Sequence, residues 1–247
     1  VYFSPAPPRV LAHRGLATTA PENSMLAFME AVALGVSHVE TDVHASADGV
    51  AIVSHDDTLE RVASRPERVA DLTAEELARV PLGLGQTLPS LREALDAFPD
   101  TRFNIDIKSA DAVIPTVQAV RDAYARDRVL LTSFSERRRR AAVELLPGVA
   151  TSASAPRFVA ALLAAASGAR PLQRLALRGL DALQVPEKTL GLTVSTPRIL
   201  NAFHRVGIEV HVWTVNEVAD MRRLLDAGID GLVTDRADLA LELIRAR

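Results

Sequence analysis

His38-Val39-Glu40-Thr41-Asp42-Val43 is the stretch from which the fold is read. It has the composition of a strand. Successive side chains on a strand point to opposite faces, so Val39, Thr41 and Val43 share one face and Glu40 and Asp42 the other. Two adjacent carboxylates repel each other, and a cation between them relieves the repulsion. Thirteen residues after Asp42 comes His55, in Ser54-His55-Asp56. Upstream, His13 closes another apolar run in Leu11-Ala12-His13-Arg14-Gly15. Two imidazoles around a carboxylate pair point to acid–base chemistry beside a hard metal ion.

Outward from this stretch, strand-like and helix-like segments alternate. Residues 10–12 form a short apolar run. Asn23 is placed to cap a helix bearing Leu26, Met29, Ala33 and Val36, with Gly35 to end it. Asp48-Gly49 reads as a turn into an accessory strand, 50–53, that delivers His55. Phe103-Asn104-Ile105-Asp106-Ile107-Lys108 is strand-like, with Asn104, Asp106 and Lys108 on one face. Further strands are expected at 129–134, 148–154, 182–186, 210–215 and 231–234. Asn216 is placed to cap the helix carrying Val218, Met221, Leu224 and Leu225, which Gly228 ends.

Without the accessory strand the count is eight strands separated by helices. That alternation predicts an α/β fold, a (β/α)8 TIM barrel, as one domain over residues 1–247. Residues 57–90 break the rhythm and are expected to form a short insertion after the second strand, over the barrel mouth. The insertion carries a capping-box signature, Thr73-Ala74-Glu75-Glu76.

The chain has 247 residues, of which 48% are hydrophobic, enough for a large core. A net charge of -3 argues against nucleic acid or an anionic membrane as the main partner. With no cysteine, disulfides and thiolate metal sites are excluded. No apolar run is long enough to span a bilayer; the Ala-rich stretch 158–166 reads as a packed helix. The first residues lack the pattern of a signal peptide, so a cytoplasmic location is expected. Lys108 and Lys188 are the two lysines among 28 basic residues, so each stands out against arginine.

In a barrel of this kind, chemistry gathers at the carboxyl ends of the strands. His13, Glu40, Asp42, Asp106, Lys108 and Trp213 all fall there. Three carboxylates at such ends are costly to bury without a cation. Oxygen donors without sulfur fit one Mg²⁺ or Ca²⁺ better than Zn²⁺. The reference pKa of imidazole lies near ~6.5, so modest tuning would let one of His13 and His55 act as base and the other as acid. Arg14 and Lys108 suit phosphate oxygens. His44 and the run Arg137–Arg140 are expected to face solvent; Glu187 and Lys188 follow the strand 182–186, and a place at the mouth is the lesser reading for them.

Taken together the motifs resemble the glycerophosphodiester phosphodiesterases. His13-Arg14-Gly15, Pro21-Glu22-Asn23-Ser24, Glu40-Thr41-Asp42-Val43, Asp48-Gly49, His55-Asp56 and Leu59 follow that family's opening signature in order and spacing. Later landmarks are Thr87-Leu88-Pro89-Ser90-Leu91, Ile105-Asp106-Ile107-Lys108, Val212-Trp213-Thr214-Val215-Asn216 and Thr234-Asp235-Arg236. The resemblance implies a metal-dependent hydrolase that turns small glycerophosphodiesters into sn-glycerol 3-phosphate and an alcohol. It implies His13 and His55 as catalytic residues, Glu40, Asp42 and Asp106 as metal ligands, and Arg14, Lys108 and Trp213 as substrate-binding residues. Two positions depart from the family pattern: Asp106 stands where Glu is usual, and Ser24 where Thr is commoner. A branch resembling sphingomyelinase D-type lyases carries Asp at the position of Asp106. The alternative substrates are therefore lipid diesters, cleaved in the manner of a lysophospholipase D or of that lyase branch.

Overall fold

The computed structural model describes all residues from Val1 to Arg247. Eight parallel strands form its centre: β1 (Arg9–His13), β2 (His38–Ala45), β3 (Arg102–Ile107), β4 (Val129–Thr132), β5 (Ala150–Thr151), β6 (Ala182–Val185), β7 (Glu209–Val212) and β8 (Gly231–Thr234). Hydrogen bonding runs in the order β5-β4-β3-β2-β1-β8-β7-β6. The circle closes where Ser152 bridges Ala182 in parallel, supported by the Asp181 amide donating to the Thr151 carbonyl. The strands are largely buried from both sides, and one large core rich in Val, Ile, Leu and Ala joins barrel and helices.

The helices obey local chemistry, with two corrections to the expected caps. Ser24, not Asn23, caps helix α1 (Met25–Ala33); its hydroxyl accepts from the Ala27 amide. Asn23 instead takes a left-handed backbone, φ 55°, and turns its amide toward β2. Asn216 likewise lies one residue before the cap of the helix Val218–Ala227, and its side chain is used elsewhere. Gly35 and Gly228 do end their helices, with φ of 94° and 91°.

β4 and β5 are shorter than their sequence runs. After Thr132 the Ser133 hydroxyl donates to the Ile107 carbonyl, and Ser135 caps the helix Glu136–Leu145, so the chain has left the sheet by Phe134. Residues 152–154 leave β5 to start the 13-residue helix Ala155–Ser167, which packs the Ala-rich stretch inward. Arg139 corrects the expectation of a solvated arginine face: it is buried and paired with Glu136.

The segment after the accessory strand (Ala51–Val53) has its own small core of Ile52, Leu59, Val69, Leu77, Val80 and Leu88. It holds helix α2 (Glu60–Ala63), a 3-10 turn, helix α3 (Ala74–Leu77) with the expected capping box at Thr73 and Glu76, and a two-stranded hairpin. A second capping box, Ser90 with Glu93, starts the helix Leu91–Ala97 that returns the chain to the barrel. No helix is long and apolar enough to cross a membrane.

Candidate active site

Strand register assembles the site in two layers. In the lower one His13 stands opposite Glu40, and Glu40 opposite Asn104. In the upper one Asp42 stands opposite Asp106, and Asp106 opposite Thr132. Because alternate strand residues face the same way, Glu40 with Asp42, and Asn104 with Asp106, stack toward the mouth. A cavity of about 370 Å³ opens there, and His13, Arg14, Glu40, Asp42, His55, Asp106, Lys108 and Trp213 all line it.

The turn after β1 depends on glycine. Gly15 has φ 84°, and a Cβ there would lie 2.7 Å from the Ala27 carbonyl carbon. Arg14 also takes a left-handed backbone, φ 56°, and its amide donates to both the carbonyl and the carboxylate of Glu40. The His-Arg-Gly sequence is thus the turn that locks β1 onto β2.

Each imidazole is backed by an aspartate. His13 Nδ1 lies 2.6 Å from Asp235 Oδ1, and His55 Nδ1 lies 2.7 Å from Asp56 Oδ1. A carboxylate only accepts, so each Nδ1 carries the hydrogen and Nε2 remains for the substrate. His13 Nε2 sits 3.9 Å from Glu40 Oε2. Burial works to lower the His13 pKa, but the bond it donates to Asp235 and the charge of Glu40 outweigh it and hold the ring above its ordinary value.

The carboxylates are crowded. Burial, with the charge of Asp42, pushes the Glu40 carboxyl above the usual carboxylate range, against the pull of His13 and Lys108. Asp106 is also raised, chiefly by burial, against the opposing pull of Lys108. Lys108 Nζ lies 2.8 Å from Asp42 Oδ1 and 2.6 Å from Asp106 Oδ2, bridging the upper pair. As the side chains stand, no three acidic or imidazole groups converge on one point at metal-ligand spacing. Two buried acceptors, Asp106 Oδ1 and Asn104 Oδ1, have no hydrogen-bond partner. A hard cation is the kind of group that such a donor set accommodates.

Several residues given no site role from the sequence complete the arrangement. Asp235 follows β8 at its carboxyl end, and Asn216 donates to its other oxygen at 2.7 Å. Asn216 is itself fixed, its oxygen accepting from Thr234 Oγ1 and the Asp235 amide. Asn23 links Thr41 to Asp42 beneath the site. Phe134 lies beside Trp213, ring centroids 6.1 Å apart, and Lys108 Nζ is 5.8 Å from its centroid. Asp235 carried a usable signal, a carboxylate at a strand end, and Asn23 lay within the opening signature; Phe134 carried none. His44 departs from expectation: it is buried, and Nε2 donates to the His55 carbonyl at 3.2 Å. Glu187 is held off the cavity by Arg223, and Lys188 is exposed.

A parallel barrel that gathers carboxylates, an ammonium and two aspartate-backed imidazoles at one mouth defines a class, the barrel phosphodiesterases. The model of the glycerophosphoryl diester phosphodiesterase family matches residues 13–239. A Mycobacterium tuberculosis protein described as probable glycerophosphodiester phosphodiesterase 2 is 44% identical over 96% of this chain and 90% of its own length. A rat lysophospholipase D is 27% identical over 92% of this chain and 83% of its own. The crystal structure of a glycerophosphodiester phosphodiesterase from Thermotoga maritima is similar with a TM-score of 0.76, 28% identity, and coverage of 95% and 97% of the two chains. The chain belongs to the glycerophosphoryl diester phosphodiesterase family and is an enzyme of that family.

Proposed function

We propose that the enzyme cleaves glycerophosphodiesters to sn-glycerol 3-phosphate and an alcohol, with His13 and His55 as its proton-transfer pair. The observation that carries the reading is the strand register. It sets Asp42 beside Asp106, one layer above His13 and Glu40, in a cavity that His55 also lines.

Glu40, Asp42 and Asp106 would hold one Mg²⁺ or Ca²⁺. Bound there, the ion would neutralise charge developing on the nonbridging phosphate oxygens. Lys108 and Arg14 bind the remaining oxygens, the ammonium as a point charge and the guanidinium through its fork. One imidazole takes the proton from the glycerol hydroxyl next to the phosphate. That oxygen forms a new bond to phosphorus while the bond to the leaving alcohol breaks. The other imidazole protonates the departing alkoxide. Water then opens the cyclic phosphate with the two roles exchanged. Trp213 forms part of the substrate-facing wall.

His13→Ala and His55→Ala test the reading on glycerophosphocholine. Each is expected to lose about 100-fold or more in kcat with an unchanged circular-dichroism spectrum. Substantial turnover in either variant refutes the pair. Chelation is expected to stop the wild type, and Mg²⁺ or Ca²⁺ to restore it.

A second substrate class is favoured by one observation. The β4–β7 side of the cavity is apolar and aromatic, built by Phe134, Phe158, Val159 and Trp213. That wall suits the hydrocarbon of a lysophospholipid. Turnover of lysophosphatidylcholine that Phe134→Ala selectively weakens supports this reading; equal loss on glycerophosphocholine removes it.

A further inference from the structure

The polar rim of the cavity is tied together from outside the barrel. Asp56 uses Oδ1 for His55 and Oδ2 for Arg61 Nε, at 2.7 and 2.6 Å. Arg61 stands on α2, the first helix of the insertion. Its two terminal nitrogens grip both oxygens of Glu22, at 2.8 and 2.7 Å. Glu22 Oε1 also accepts from Arg14 Nη1 at 2.9 Å, and Arg14 Nε lies 3.4 Å from Asp42 Oδ2. The contacts thus run from His55 through Asp56, Arg61 and Glu22 to Arg14, whose Nε stands near Asp42 without a hydrogen bond. All three guanidinium nitrogens of Arg61 are engaged, each aimed by its planar geometry.

The structure assigns Arg61 and Glu22 as positioning residues: the insertion clasps the mouth through them and fixes His55 on one side and Arg14 on the other. The assignment rests on the roles proposed above for those two groups. Stability alone does not account for the clasp. The Arg61 side chain is 48% exposed, and ion pairs that exposed add little to folding. Its geometric value is larger. The backbone of Arg14 is pinned by Glu40, but its long side chain is aimed by Glu22 and Asp42. His55 lies in the loop between the accessory strand and α2, and its ring is oriented through Asp56. The backbone of α2 is in turn anchored by neighbouring Leu59, fully buried in the insertion's own core. Packing in the insertion is thereby transmitted to the reacting groups, where misplacement by about 1 Å is costly, up to about 100-fold.

Steady-state kinetics of the full chain on glycerophosphocholine test the assignment. Arg61→Met is expected to lower kcat about 10- to 100-fold and to raise KM, because both ends of the clasp come loose. Glu22→Gln is expected to act mainly on KM, because the Asp56–Arg61 contact survives. Arg61→Lys keeps a charge but offers one nitrogen for three contacts, and is expected to restore less than a tenth of the lost kcat. Arg65→Gln is the control: Arg65 pairs with Glu67 within the insertion and touches none of these groups, so wild-type kinetics are expected.

Wild-type kcat and KM in Arg61→Met, with His55→Ala inactive, overturn the clasp and leave the proposed reaction standing. An active His55→Ala overturns the reaction itself. Full rescue by Arg61→Lys, or an Arg65→Gln loss equal to that of Arg61→Met, also overturns the clasp. If Arg61→Met does not fold, the split between Glu22→Gln and Arg61→Lys decides the matter.

Discussion

Asp235→Asn is the substitution that probes the site most finely, because it changes one atom in a defined network. Asp235 accepts from His13 on one oxygen and from Asn216 on the other. Asn216 cannot turn its amide round, since its own oxygen already accepts from Thr234 and from the Asp235 amide. An asparagine at 235 must therefore set an NH₂ against a donor. Facing Asn216, it breaks the link that aims the side chain. Facing His13, it favours the tautomer with hydrogen on Nε2, the wrong nitrogen for a base. A hydrogen bond to a charged group contributes about 1.5–3 kcal/mol. The Asp235 side chain is 46% exposed, so the lower half of that range applies. At about 1.4 kcal/mol per decade, kcat is expected to fall about 10- to 40-fold, with KM little changed. The pH profile adds a second reading. Asp235 and Glu40 hold His13 above its ordinary value, against burial. Removing the aspartate charge is expected to move the limb governed by His13 toward lower pH. A variant with kcat within about twofold of wild type and an unmoved profile would refute the role of the aspartate.

Lys108→Met leaves Asp42 and Asp106 facing each other without the ammonium that bridges them. In chelator a loss of about 3 kcal/mol is expected, a Tm drop of roughly 6–12 °C for a chain of this size. A divalent ion at about 100 times its Kd is expected to return about 2.7 kcal/mol; equal Tm values with and without ion would count against cation binding there. His38, buried at the opposite end of the barrel, donates to the Tyr2 carbonyl, and burial pushes it down to about 3. The unfolded chain binds that proton near ~6.5, so stability is full above pH 6.5 and falls as pH drops toward 3, by about 4 kcal/mol at the acid end. His38→Gln is expected to flatten this part of an acid-denaturation curve, and an unchanged slope would contradict the assignment.

The barrel was legible in the chain because its signal is periodic: eight apolar runs, each followed by a helical pattern. The ends of β4 and β5 were not, because serine hydroxyls at 133 and 135 and the polar run 152–154 end pairing that apolar composition would continue. The first carboxylate pair was readable from alternation alone, and the third carboxylate from its place at a strand end. Their alignment required register, which brings Asp42 opposite Asp106 across 64 positions of sequence. The second residue of each histidine–aspartate pair shows why the rest stayed hidden. Asp56 is adjacent to His55, but Asp235 meets His13 only when the last strand closes beside the first. The misread caps share one cause. Asn23 and Asn216 sit where a capping residue is expected, but each spends its amide on a carboxylate of the site. His44 is turned in toward the loop after the accessory strand, where it meets the His55 carbonyl, a contact that no alternation pattern on β2 reports.

Anomalous diffraction from crystals soaked in Mn²⁺ tests the central claim most directly. One peak is predicted in the barrel mouth, about 2.0–2.6 Å from oxygens of Glu40, Asp42 and Asp106, with Lys108 moved off the bridge it now makes. A soaked crystal with no peak there, and with Lys108 still spanning Asp42 and Asp106, would contradict it.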